Sequence, residues 1–372
     1  MIEDTSVQRI SRLTPLKAVL ALIDAQIEAV KPQRWAIATA CGYALAEDVE
    51  SLECPEHPIA LRDGLAVEAA AIADANSYAP LPLPQPIRRI EVGEPLPEGT
   101  DAVLPLDAVV LRGEQADAVA PVTVGEGVLP AGGDTALRSL MRLTGERMRS
   151  IDVAAMLAAG IESVKVREPQ IAVVLGSEPG TRPLHAVLGL LVRAVFAAGA
   201  KVSDDPDITL NAAIADKNND AIIAVGGTGS GRRDTAVRTL AQLGRIEMHG
   251  IAMSPGETAA FGFAGKRPVL LVPGRLDSAL AAWLLIGRYM TAKLSSGSIE
   301  EKTVLLPLKR KVTSAIGMTE LVPVSCKDGL AEPLASGYLS FESLSRSDGW
   351  IVVPADSEGF AAETPVAIHP WP

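Results

Sequence analysis

Apolar and polar positions alternate with different periods along the chain. Residues 15–30 carry apolar side chains at helical spacing behind Thr14 and Pro15, which predicts a helix with its N-terminus there. A second short helix is expected from Trp35 to Asp48. A third is expected from Ser150 to Ala159, ending at Gly160. From about Glu50 to Pro130 short Val, Ile and Leu segments are broken by proline and glycine, the texture of a β-rich unit. Helical pattern on both sides of it predicts an insertion into a helical layer.

Residues 168–295 form the clearest unit. Ile171–Leu175, Ala221–Val225 and Val269–Val272 are short apolar runs, as expected for strands covered on both faces. Helices are predicted after them at Leu184–Ala198, Thr235–Leu243 and Ser278–Met290. A further strand is expected at Lys201-Val202, before the loop Asp204-Asp205-Pro206. This alternation predicts a doubly wound, mostly parallel sheet with right-handed crossovers. Beyond about Lys302 the segments Thr303–Leu308, Glu320–Ser325, Trp350–Pro354 and Thr364–His369 read as strands of a final barrel or sandwich. The fold class is therefore α/β multidomain. Its expected parts are a helical layer (1–48 plus 133–167), a β-rich inserted domain (49–132), an α/β domain (168–300) and a C-terminal β-barrel (301–372).

Composition narrows the function classes. The 372 residues are 48% hydrophobic and 21% charged, ordinary for a soluble globular protein, and the 3% aromatic content leaves the core to Ala, Val, Leu and Ile. A formal net charge of -11 argues against nucleic acid as the main partner. Cys41, Cys54 and Cys326 form no CxxC pair, which fits a reducing compartment and excludes a disulfide framework or a cysteine-built zinc site. The four histidines, His57, His185, His249 and His369, show no metal spacing. The N-terminal residues lack the features of a signal peptide, and no apolar run approaches the ~20 residues that span a bilayer. A cytoplasmic protein without membrane attachment is expected.

The chemistry concentrates at Gly226-Gly227-Thr228-Gly229-Ser230-Gly231-Arg232-Arg233-Asp234, between a buried strand and a helix. Its glycines let the backbone turn sharply and present N–H groups to an anion, with the helix N-terminus behind them. Arg232 and Arg233 add positive charge, and Asp234 is a candidate N-cap or metal ligand. A tight turn without a ligand is the plain alternative. The loop is no P-loop, because Arg232-Arg233 stand where Lys and Ser/Thr are needed. It is no dinucleotide fingerprint either, since the third glycine falls on Arg232. Two more loops, Gly176-Ser177-Glu178-Pro179-Gly180 and Pro273-Gly274-Arg275, should reach the same edge of the sheet.

The order of segments resembles the molybdopterin molybdenumtransferases, whose eukaryotic counterpart is the C-terminal domain of gephyrin. Carrying the resemblance are Asp63-Gly64-Leu65-Ala66-Val67, Gly93-Glu94-Pro95-Leu96-Pro97-Glu98-Gly99-Thr100-Asp101-Ala102-Val103 and Gly132-Gly133-Asp134. The glycine-rich loop, Ser254-Pro255-Gly256-Glu257-Thr258, Val272-Pro273-Gly274-Arg275-Leu276 and Asp348-Gly349 through Pro354 complete it over nearly the whole chain. The resemblance implies an elongated homodimer that inserts molybdate into adenylylated molybdopterin and releases AMP with Mg²⁺. It maps catalytic roles onto Asp63, Asp134 and Asp234, and metal binding onto Glu178 and Asp234. The pterin nucleotide would lie on Gly176, Glu178, Gly226, Gly227, Thr228, Gly229, Ser230, Gly231, Arg232, Arg233, Pro273, Gly274 and Arg275, near the β-rich domain of the other subunit.

The chain departs from the family pattern in several places, among them Ser254, where a basic residue often stands, and Arg275, in place of asparagine. Ser177 replaces one of two adjacent carboxylates, the stretch after Gly180 is shortened, and Glu257 stands where the family has lysine. The last change moves the local charge by two units. Each unit pair at ~4 Å and an effective dielectric of about 20 is worth at most about 4 kcal/mol. Arg275, Arg232 and Arg233 are the expected compensation. Two rival readings follow, a paralogue that binds pterin or a partner enzyme without turnover and a scaffold that uses its dimer surface.

Overall fold

The computed structural model describes residues 8, 10–113, 115–176, 182–203, 208–299 and 303–372. At its centre is a six-stranded sheet in the order Lys201–Val202, Gln170–Leu175, Ala221–Val225, Arg267–Val272, Ala260–Ala264, Arg245–His249. The first four strands are parallel, and the last two are added by antiparallel pairing. All five residues of Ala221–Val225 are fully buried, because both faces of the sheet are covered. Ile171, Val173, Ile223 and Val225 pack with helix α1 (Leu16–Gln26) and helix α3 (Arg182–Ala197). Ala172, Val174, Ile222 and Ala224 face helices α4 (Leu210–Ala215) and α5 (Ala236–Leu243). The doubly wound sheet expected from the sequence is therefore present, with an antiparallel edge.

The helical layer needs correction. Trp35–Asp48 is not a helix: Gln33–Ala36 and Ala44–Leu45 are strands flanking Ser163–Arg167 in a three-stranded sheet. Gly42, at a φ of 89°, turns the chain between them, and Trp35 meets Tyr43 with ring centroids 5.0 Å apart. Helix α2 (Ser150–Ala158) covers this sheet through Met156. Helix α1 belongs elsewhere, since Val19 and Ile23 are buried in the core of the α/β domain. The layer is thus a mixed α/β piece. The predicted helix at 278–290 is also interrupted. Helix α6 (Leu276–Ala282) passes through a wide π turn, Trp283–Gly287, into helix α7 (Arg288–Ser295). A Cβ at Gly287 would sit 2.4 Å from the Trp283 ring.

The inserted domain is β-rich as expected. Gly64–Val67 lies between Arg89–Ile90 and Ala102–Pro105 over a core of Leu65, Val67, Ile72 and Leu104. The C-terminal strands close into a barrel. Thr319–Lys327, Gly349–Val353, Pro365–Pro370 and Val304–Pro307 pair in sequence. A bridge between Leu308 and Ala331 then returns to Leu330–Pro333, which pairs with Thr319–Lys327. Ile251–Ser254 adds to this sheet, aligning Met253 with Thr319, and Thr14–Pro15 aligns with Ile251 and Ala252. The barrel is therefore joined to the α/β domain through this strand, whose Ile251 and Met253 are buried in the α/β core. Among the described residues, no helix is long and apolar enough to cross a membrane.

Candidate functional site

Four glycines bring three loops together at the carboxyl edge of the parallel strands. The Gly176 N–H donates to Val225 O at 2.8 Å, and the Gly226 N–H to Val272 O at 2.8 Å. A Cβ at Gly176 would lie 2.3 Å from Gly226 O, and one at Gly227 would lie 2.8 Å from Gly176 O. A Cβ at Gly274 would stand 3.6 Å from Gly226 Cα. Gly226 and Gly227 have φ of 86° and 78°, a left-handed backbone that other residues adopt only at a cost. Glycine is required here by contact and by conformation together.

The rest of the long loop is fastened from several sides. The Thr228 hydroxyl and that of Thr258 are 3.1 Å apart, and His249 Nε2 lies 2.9 Å from Thr228 O. Asp234 folds back over the loop, and its Oδ2 accepts the Gly231 N–H at 2.7 Å. Asp234 is therefore a loop-closing residue as well as a candidate metal ligand; its Oδ1 accepts no hydrogen bond among the described residues. Gln8, which the sequence did not single out, reaches in from the N-terminal segment. Its Nε2 donates to Gly229 O at 2.8 Å and to Gly227 O at 3.2 Å, and its Oε1 accepts the Arg238 N–H at 3.0 Å.

Charge is distributed differently from expectation. Arg232, Arg233 and Ser230 are exposed, and among the described residues the two guanidinium groups make no hydrogen bond or ion pair. Arg275 is held by Asp277 through two 3.2 Å contacts and lies 4.6 Å from the centroid of the Tyr338 ring. Asp277, then Tyr338, hold the Arg275 guanidinium above its ordinary range. Its charge is offset on the spot and is not spare compensation for Glu257. Asp277, 2% exposed, also accepts the Ser278 N–H at 2.8 Å and the Leu339 N–H at 3.3 Å. Sequence reasoning missed it; a carboxylate in the first turn of a helix was the available signal. Pro273 is buried and shapes the turn.

Glu257 faces a cavity of about 610 Å³ between the α/β domain and the barrel, lined also by Ser254, Ser314, Glu320 and Ser336. No lysine or arginine lines it among the described residues. Glu320, 4% exposed, is satisfied by Ser336 Oγ at 2.6 Å and the Gly337 N–H at 2.8 Å. Another cavity, about 650 Å³, opens at the opposite end of the strands beside Lys31, Asp220 and Lys266. Burial there pushes the Asp220 carboxyl up.

The remaining carboxylates are scattered. Asp63 is exposed on the inserted domain, its Oδ1 accepting the Val92 N–H at 2.9 Å. Asp134 is exposed in a turn, its N–H donating to Cys54 O at 3.0 Å. Glu178 and Ser177 lie outside the described residues. Among the described residues, no three His, Cys, Asp or Glu side chains assemble as a metal site.

Fold and site together define a multidomain α/β protein with an anion-suited edge on its doubly wound sheet, an inserted β domain and a C-terminal barrel. The chain belongs to the MoeA family of molybdopterin biosynthesis. Residues 14–160 match the MoeA N-terminal region (domain I and II), 190–293 the Probable molybdopterin binding domain, and 306–371 the MoeA C-terminal region (domain IV). A relative from Methanocaldococcus jannaschii is 26% identical over 94% of this chain and 96% of its own. Molybdopterin molybdenumtransferase 1 of Mycobacterium tuberculosis is 28% identical over 83% of both chains. The crystal structure of the molybdopterin biosynthesis moeA protein from Pyrococcus horikoshii OT3 shares the fold. It has a TM-score of 0.73 and 21% identity, covering 97% of this chain and all of that one.

Proposed function

We propose that this protein is a molybdenumtransferase of molybdenum cofactor assembly, inserting molybdate into adenylylated molybdopterin with release of AMP. The observation that carries the reading is the meeting of Gly176, Gly226–Gly227 and Gly274 at one sheet edge, in a chain matched by the family along most of its length. Backbone N–H groups and the N-terminus of α5 suit the phosphates of the pterin nucleotide. Arg232 and Arg233, exposed beside the loop, are placed to meet an arriving anion.

Mg²⁺ is a hard cation that takes one or two carboxylates together with substrate phosphates and water. Asp234 fits that requirement through Oδ1, with Glu178 as the second donor, and the ion would offset phosphate charge. Asp234 keeps the loop closed, and the N–H groups orient the nucleotide. Asp63, from the inserted domain, and Asp134, just beyond its end, would act from a second copy across the cleft of a homodimer. Exposed Leu137, Leu140, Leu143, Ile151, Leu157 and Phe196 supply apolar surface for that association. The expected location is the cytoplasm. AMP release from adenylylated molybdopterin, dependent on molybdate and Mg²⁺, tests the activity; purified protein that releases none contradicts it.

One observation favours a second reading, binding without turnover: Glu257 lines a cavity in which no described basic residue offsets it. Turnover that appears only after Glu257→Lys supports this reading, and full activity of the parent excludes it.

A further inference from the structure

The N-terminus of α5 is already occupied by a side chain of the same protein. Thr235, the residue before α5, makes no side-chain capping bond. The Ala236 N–H is spent on Gly227 O at 3.1 Å, and the Arg238 N–H donates to Gln8 Oε1 at 3.0 Å. The carboxamide oxygen thus sits where an anionic oxygen would be favoured. The other end of the same amide ties down Gly227 O and Gly229 O. A phosphate could replace the oxygen but could not donate to these carbonyls.

The approach of Gln8 is built into the fold. Thr14 donates its N–H to Gly250 O at 2.9 Å and pairs with Ile251. Gly250 has a φ of 91°, and a Cβ there would lie 2.4 Å from Ile10 Cγ2. The glycine therefore makes room for the segment that carries Gln8. Thr228 of the glycine-rich loop is held independently by His249 and Thr258, so Gln8 is the contact that can leave without unfolding the turn.

We propose that Gln8 is an internal competitor for the phosphate of a nucleoside monophosphate: its carboxamide must withdraw before the ligand can dock. This rests on the reading of the glycine-rich loop as the nucleotide seat. Affinity is then lowered by the fraction of molecules in which Gln8 is in place. Calorimetric titration of AMP into the full chain and into Gln8→Ala tests it. The variant should bind about fivefold to tenfold more tightly. In the unaltered protein, saturating AMP should raise amide hydrogen exchange at Ile10–Leu13, a readout that needs no variant. If AMP binds both proteins equally, or the variant more weakly, or Ile10–Leu13 gains protection, the competitor is refuted while the nucleotide seat stands. If AMP binds neither protein, the seat itself is refuted and the competitor falls with it.

Discussion

Asp277 and Leu339 join two domains: the carboxylate at the start of α6 accepts the Leu339 N–H of the C-terminal domain at 3.3 Å. The same carboxylate accepts the Ser278 N–H and anchors Arg275. Replacing Asp277 by alanine leaves both amides short of an acceptor in a site only 2% exposed. The cost should be about 3 kcal/mol, from about 1–3 kcal/mol for each unsatisfied buried group. Denaturant unfolding followed by Trp350 fluorescence would detect it as an earlier loss of the barrel signal; an unchanged midpoint would contradict the domain-joining role.

Gly227→Ala should damage both stability and ligand binding. The substitution puts a methyl group 2.8 Å from Gly176 O and 2.9 Å from Ala236 Cβ, at a φ of 78°. The left-handed backbone alone costs about 1–2 kcal/mol, and the contacts add to it. Gly265→Ala is the control, with a φ of 65° and nothing within 4 Å. It should lose the backbone term only and keep AMP affinity.

Reversing the charge at residue 257 should change oxyanion binding. Glu257→Lys removes a carboxylate from a cavity that already holds Glu320 and supplies a cation. Molybdate affinity, read by equilibrium dialysis, should rise at least about tenfold, which needs only about 1.4 kcal/mol of the electrostatic change. Equal affinities would show that this cavity takes no part in oxyanion binding.

A pH dependence is expected near neutrality from His369, which stacks on Trp350 with ring centroids 4.4 Å apart. Burial, then the charge of Arg288, holds its pKa below the ordinary value. The unfolded chain therefore takes up the proton first as pH falls below about 6.5. Stability contributed by neutral His369 is present above that pH and declines as pH drops toward the lowered folded value. His369→Phe keeps an aromatic partner for Trp350 and should flatten the stability profile across this window. An identical slope in both proteins would assign the dependence elsewhere.

The α/β domain was legible because each strand is buried on both faces, so runs such as Ala221–Val225 are continuously apolar. The segment 35–48 was misread because Trp35, Ile37, Tyr43 and Leu45 suit either period, and only Gly42 marked the turn between strands. The convergence of loops followed from the topology rule for parallel sheets. Its electrostatics did not. Asp277 neutralises Arg275 from two positions away, and Gln8 meets partners 219 and 221 residues distant. Such pairings depend on how the N-terminal segment and the barrel close on the sheet.

The most direct measurement is amide hydrogen exchange of the full protein with and without adenylylated molybdopterin. Protection should appear across Gly226–Asp234 and at Gly274–Arg275. Protection confined to the cavity at the opposite end of the strands, beside Lys31 and Lys266, with the glycine-rich loop unaffected, would contradict the placement of the ligand.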